Sequence, residues 1–202
     1  MNPGPAKLAG IILAAGSSER LGQPKQLVKW EGITLVRRAA GLALGVCNAG
    51  VSVVVGVAAR QIATELNDLN VAIVDNKNWQ MGMGSSLNAG LQALEQDADG
   101  LLLMLCDQPG ITSDDLSRLV NIWKNKTDSP VAAAYSGTVG VPAILPVVML
   151  PLLDGMSYQR GAGSLLRGYS DTVLVEMPSA AWDIDTAADL QWLRDNDENG
   201  NN

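Results

Sequence analysis

The chain has no histidine, and only two of its 202 residues are cysteine. Without imidazole there is no Ser-His-Asp or Cys-His triad, no histidine-ligated metal and no imidazole acid–base catalysis. The two thiols, Cys47 and Cys106, lie in separate apolar segments without C-x-x-C spacing, so neither a zinc site nor a dithiol centre is encoded. Structural thiols in a reducing compartment follow, and a cytoplasmic protein is expected. No apolar run reaches the roughly 18 residues that a membrane-spanning helix needs. Lys7 followed by Leu8–Ala15 resembles a short leader, but cleavage after Ala15 would discard the first strand, so the segment is expected to be retained. Cations are scarce as well: 14 Lys and Arg against 21 Asp and Glu leave a net charge of −7, which argues against a nucleic-acid partner. Chemistry must rest on carboxylates, a few cations and the backbone.

What is present is globular. Apolar residues make up 47% and charged residues 17% of the chain, which excludes a disordered polymer. No linker divides it, so one domain over residues 1–195 is expected, with a polar, disordered tail over 196–202. The runs Leu8–Leu13, Val51–Val57, Val71–Val74 and Leu101–Cys106 read as strands buried on both faces. Between them Thr34–Val46, Ala58–Leu69, Ser85–Glu95 and Ser113–Lys124 have helical spacing, the last with Thr112 or Ser113 as N-cap. Val131–Tyr135 and Val139–Leu145 read as strands joined at Ser136-Gly137. Val147–Leu153 and Ala162–Tyr169 read as short helices, Val173–Met177 as a strand and Thr186–Arg194 as a final helix. Such β-α alternation predicts a three-layer, doubly wound, mostly parallel α/β sheet of Rossmann-like type, with ligands beyond the carboxyl ends of the strands. Gly16, Asn76 and Asp107 each follow a strand and should approach one crevice.

The stretch Ile11–Leu27 ends an apolar run in small residues and follows it with Arg20, Pro24 and Lys25. Small residues let backbone N–H groups close on an anion as a nest of donors. Arg20 offers a planar fork and Lys25 a mobile point charge. The spacing fits neither G-x-x-x-x-G-K-[ST] nor G-x-G-x-x-G, and Gln26 after Lys25 leaves no hydroxyl placed to hold a metal in P-loop fashion. A nucleoside triphosphate suits this cluster of cations in an otherwise acidic chain.

Carboxylates complete the candidate set. Leu101–Cys106 delivers Asp107 at a strand end, where it can hold a hard cation or cap a turn. In Trp182-Asp-Ile-Asp-Thr, Asp183 and Asp185 fall on one side of an extended segment, and Asp185 or Thr186 also suits the N-cap of the last helix. Gly82 and Gly84 allow close backbone approach, Ser85 or Ser86 can present a hydroxyl or N–H at a helix start, and Trp79 can stack on a ligand or pack.

The opening stretch resembles the L-A-A-G-x-S-x-R-x-G-x-P-K-x-L motif of the MobA-like nucleotidyltransferases, especially those that mature molybdenum cofactor, and matching segments recur through Leu190. The resemblance implies nucleotide binding by Leu13, Ala14, Ala15, Gly16, Ser17, Ser18, Arg20, Lys25, Asn76, Gly82, Ser85 and Ser86. It implies catalytic roles for Arg20, Lys25 and Asp107, and Mg²⁺ held by Asp107 with Asp185, Asp183 being an alternative ligand. Ala15, in L-A-A-G rather than L-A-G-G, favours CTP over GTP. The implied reaction moves a nucleotidyl group to the phosphate of a molybdopterin-type acceptor, with a client molybdoenzyme as possible partner; a sugar or polyol phosphate acceptor and a non-catalytic cofactor chaperone are the alternatives. The chain departs from the pattern on the acceptor side: Val141 replaces a polar residue or histidine, Gln159 an aspartate and Gly163 an arginine, with Arg160 close by to supply the displaced charge.

Overall fold

The first strand of the chain, β1 (Leu8–Ala14), is buried at all seven positions and lies centrally in a seven-stranded sheet. The computed structural model describes residues 5–94, 97–153 and 162–199. After β1 come β2 (Lys29–Trp30), β3 (Ile33–Thr34), α1 (Leu35–Leu44), β4 (Val51–Val55), α2 (Ala59–Glu65), β5 (Ala72–Asp75) and α3 (Met83–Gln92). Then follow β6 (Gly100–Leu105), α4 (Ser113–Lys124), β7 (Val131–Tyr135), β8 (Thr138–Pro146), α5 (Leu150–Leu153), α6 (Ala162–Gly168), β9 (Val173–Glu176) and α7 (Ala187–Asn199).

The large sheet runs β5-β4-β1-β6-β8-β7-β9, with β5, β4, β1 and β6 parallel and β8 antiparallel to both its neighbours. The expected α/β architecture is therefore present. From β1 the chain winds outward through β4 to β5, then returns to the other side of β1 as β6. That reversal makes the carboxyl ends of β1 and β6 the topological switch point, where ligands of such sheets bind.

Alternation along the central strands feeds two cores. Ile12, Ala14, Leu102 and Met104 join Val36, Ile62, Leu116 and Trp123 on one face. On the other, Ile11, Leu13, Leu101 and Leu103 join Leu87, Leu153 and Leu166. A third, smaller cluster of Leu21, Val28, Leu35, Ile184 and Leu193, backed by Trp30 and Trp182, fastens the opening loop to the C-terminal segment.

Several boundaries differ from the sequence reading for local reasons. The β4 strand stops at Val55 because Gly56 opens the turn into α2, and β5 is mostly exposed because it lies at the sheet edge. Thr34 is the N-cap of α1 rather than its first residue, its hydroxyl accepting from Arg37 N at 3.3 Å. Val147–Met149 forms a 3-10 turn ahead of α5. The helix α7 continues past Arg194 to Asn199, with Gln191 donating to Asp195 at 2.7 Å, so part of the expected tail is helical; residues 200–202 lie outside the described residues. The Ser136-Gly137 connection is a two-residue hairpin turn with φ of 47° and 73°, as its position required. A second such turn, Glu31-Gly32 with φ of 52° and 76°, joins β2 to β3 and was not anticipated.

Candidate active site

Beyond the ends of β1 and β6 opens a cavity of about 420 Å³. Leu13, Ala14, Ala15, Gly16, Ser17, Lys25, Gly82, Ser86 and Asp107 of the anticipated set line it, joined by Glu19, Gln26, Trp79, Gln80 and Cys106. A Cβ added at Gly16 would meet no protein atom within 4 Å, so the loop there faces open space sized for a ligand. The loop is held from behind. Gln26 is 1% exposed and donates its amide to the carbonyls of Ala14 at 3.0 Å and Gly16 at 2.9 Å, while the Ser18 hydroxyl accepts from Lys25 N at 3.1 Å. Ser18 itself has φ 56°, a left-handed conformation that turns the chain back toward Lys25. No role for Gln26 was read from sequence; its only signal was its place inside the motif.

Charge converges at one end of the cavity. The Lys25 ammonium pairs with Asp107 Oδ2 and, at 2.7 Å, with Asp185 Oδ1, while Arg20 donates to Asp185 Oδ2 at 2.9 Å. Residues 160 positions apart thus form one cluster. Burial works against the charge of Lys25, but Asp107 and Asp185 outweigh it and hold its pKa above the lysine range. Lys25 then Arg20 keep Asp185 below its ordinary value. The Asp183 carboxyl is pushed up to about 6 by desolvation and by the neighbouring Asp107 and Asp185, although the residue as a whole is exposed.

The remaining anticipated residues form a supporting layer. Asn76 Nδ2 donates to Ser85 Oγ at 2.9 Å and Ser86 Oγ at 3.1 Å, and the Ser85 hydroxyl donates to the carbonyls of Asn78 and Gly82. Asn76 and Ser85 therefore shape the loop that carries Trp79 and Gly82, whereas Ser86 reaches the cavity. Trp79 packs on Gly56, where an added Cβ would come within 2.8 Å of its ring and 2.6 Å of the Ala15 carbonyl. Gln159 and Arg160 lie outside the described residues. Gln108 and Tyr135 were not singled out from sequence. Gln108 donates to the Ala180 carbonyl at 2.7 Å, and burial followed by Asp183 raises the Tyr135 phenol above its ordinary value.

A model of the MobA-like NTP transferase domain matches residues 10–173. The chain belongs to this family. It is a nucleotidyltransferase related to enzymes of molybdenum cofactor biosynthesis. It is 39% identical over 199 residues, covering 92% of this chain and 96% of the relative, to a nicotine blue oxidoreductase of Paenarthrobacter nicotinovorans. It is 26% identical to the molybdenum cofactor cytidylyltransferase of Escherichia coli K12, over 89% of this chain and 92% of that one. Among solved structures, Rv0371c of Mycobacterium tuberculosis H37Rv superposes with a TM-score of 0.82 at 23% identity, over 95% of this chain and 99% of that one. A manganese complex of the same Mycobacterium protein has a TM-score of 0.77 at 22% identity, over 93% and 98%.

Whether this family member's own residues suit a divalent cation is decided by the donors. Asp107 Oδ1 is buried with no hydrogen-bond partner, an orphaned acceptor that costs free energy unless a cation meets it. Asp183 is near enough to feel both charges, but among the described residues no three acidic, thiol or imidazole groups are arranged to hold a metal ion as a closed cage. Two carboxylates, all-oxygen and open on one side, suit a hard ion that takes its remaining ligands from phosphate and water. The residues fit the ion, and Lys25 occupies the charge position between them.

Proposed function

We propose that the protein transfers the cytidylyl group of CTP, with Mg²⁺, to the terminal phosphate of a molybdopterin-type cofactor and releases pyrophosphate. The observation that carries this reading is the cluster in which Lys25 joins Asp107 and Asp185 at the mouth of the Gly16 loop. In the reaction an acceptor phosphate oxygen forms a bond to the α-phosphorus while the bond to the β-phosphate oxygen breaks. A phosphate monoester is largely dianionic at neutral pH, its second pKa being about 6, so no general base is required. This agrees with a site that contains no histidine. Alignment of two polyanions and neutralisation of their charge supply the catalysis. Arg20, Lys25 and the amides from Ala15 to Ser18 hold the triphosphate. Asp107 and Asp185 would hold Mg²⁺, which supplies further positive charge to the phosphates. Ala15 and the Gly82–Ser86 loop bound the base and favour cytosine. The setting is cytoplasmic, and the product passes to a client molybdoenzyme.

A second reading, a redox enzyme, is favoured by the 39% identical oxidoreductase. The test is mass spectrometry of products after incubation with each nucleoside triphosphate, Mg²⁺ and a panel of acceptors that includes molybdopterin cofactor and sugar phosphates. A cytidylylated cofactor plus pyrophosphate is expected. Products formed only with a sugar phosphate would overturn the acceptor. No pyrophosphate from any pair, with oxidation of a reduced nicotinamide cofactor instead, would overturn the transfer.

A further inference from the structure

Beside the nucleotide cavity lies a second one of about 470 Å³, and the two share Leu13, Met83 and Leu105 as a common wall. Its other walls come from β8 and α6, the region expected to face the acceptor. Its lining mixes apolar side chains, Val139, Val141 and Ala162 among them, with the polar Tyr135, Thr138, Ser164 and Arg167. Among the described residues that line it, Arg167 is the sole charged one. Arg167 is solvent-exposed, and a guanidinium held next to a phosphate-transfer site offers its planar fork to an anionic partner.

The positions of the polar groups in this cavity depend on two glycines. Arg167 Nη1 lies 3.1 Å from where a Cβ on Gly163 would stand, and it donates to the Val139 carbonyl at 3.2 Å. One helical turn separates residues 163 and 167, so the missing side chain at Gly163 lets the guanidinium fold across α6 toward β8. Across the cavity, the Tyr135 hydroxyl comes within 2.4 Å of where a Cβ on Gly140 would stand. Each glycine thus makes room for one polar tip, and the guanidinium keeps donors beyond the one bonded to Val139.

We propose that Arg167, seated over Gly163, is the acceptor-binding cation of this chain, taking a phosphate group on an acceptor whose body lies against Leu13, Met83, Val139 and Val141. This rests on the nucleotidyl-transfer reading but assigns a residue that the reading leaves open. It also defines the acceptor chemically, as a phosphate monoester whose body is bounded by both apolar and hydroxyl-bearing side chains.

Phenyl phosphate, a phosphate monoester with an apolar body, is the direct probe. Its binding is measured by calorimetry on the full chain with CMP present to fill the nucleotide cavity. Arg167→Ala should weaken it about tenfold or more, the scale of one lost charge-assisted hydrogen bond. Arg167→Lys should fall between, because a point charge replaces a fork. Gly163→Ala should weaken it by less than Arg167→Ala and without removing any charge, because its methyl would stand 3.1 Å from Nη1 and shift the guanidinium only slightly. In transfer assays the same variants should raise the acceptor KM while the KM for CTP stays near wild type. A merely structural arginine, tying α6 to β8, would instead lower the melting temperature and leave phenyl phosphate binding unchanged in all three variants. That result, or absence of binding to the wild type at millimolar concentrations, overturns the proposal. Binding that depends on Arg167 in a protein that releases no pyrophosphate upholds the site and sinks the transfer reading alone.

Discussion

Replacing Lys25 by methionine removes the ammonium between Asp107 and Asp185 while keeping most of the bulk of its stem. The side chains of Lys25 and Asp107 are 16% and 12% exposed and that of Asp185 41%, so the cluster lies between a surface pair and a buried one. Surface pairs contribute about 0–1 kcal/mol, and removing one partner of a buried pair costs about 3–5 kcal/mol. A loss of about 2–3 kcal/mol is expected, which in a domain of this size lowers the melting temperature by about 4–12 °C. Divalent metal should act in the opposite sense. With the ammonium gone, two carboxylates and the orphaned Asp107 Oδ1 face a cation without competition. The stability added by a ligand grows as RT ln(1 + [L]/Kd), so a tighter Kd gives a larger rise. Mn²⁺ should therefore raise the melting temperature of Lys25→Met more than that of the wild type. Turnover should nevertheless fall by about 10²-fold or more, because the triphosphate loses a preorganised charge. Thermal melts with and without Mn²⁺, beside a pyrophosphate-release assay, read all three effects. A variant that melts like the wild type and responds equally to Mn²⁺ would refute the reasoning, since Lys25 would then bridge neither carboxylate in solution.

Asp107→Asn should abolish metal-dependent pyrophosphate release with little loss of melting temperature, because Lys25 keeps Asp185 as a partner; turnover within threefold of wild type would remove Asp107 from the site. Asp183→Asn probes the raised carboxyl. Its folded pKa of about 6 lies above the unfolded value of about 3.9, so the wild type loses stability as pH rises from about 4 to 6. The variant should therefore melt above wild type at pH 7.5, the gap closing near pH 4, and a gap independent of pH would contradict this. Gly56→Ala places a methyl against Trp79 and the Ala15 carbonyl. It should cost about 1–3 kcal/mol by overpacking and raise the KM for the nucleotide, whereas an unchanged KM would mean that Trp79 and the Ala15 carbonyl do not shape the nucleotide cavity.

The fold was legible because its central strands are short, continuous apolar runs and its turns carry Gly or polar residues at fixed places. The Leu101–Cys106 run, followed by Asp107, shows both the strand and the carboxylate that leaves it. The Glu31-Gly32 turn was missed because strands of two residues leave no period to detect. Edge exposure of β5 was hidden for another reason: a run such as Val71–Val74 reads the same whether one or two strands flank it. The residues of the candidate site were legible, but not the ion pairs among them. The resemblance implied Asp107 and Asp185 as ligands of one metal ion and Lys25 as a ligand of the phosphates, not Lys25 as the partner of both carboxylates. That they pair with one another depends on the small core in which Leu21 and Val28 meet Ile184 and Leu193, contacts between opposite ends of the chain. The same core explains why the pairing matters. It brings Asp185 to Arg20 and Lys25 without a ligand present, so on the proposed reading a nucleotide and its metal would enter a site whose charges are already paired. On the proposed reading each would displace a partner of the other: the triphosphate would draw Lys25 away from Asp107 and Asp185, and the carboxylates so released are the ones that would hold the metal. Binding of either should therefore favour binding of the other, a coupling that no single motif in the sequence encodes.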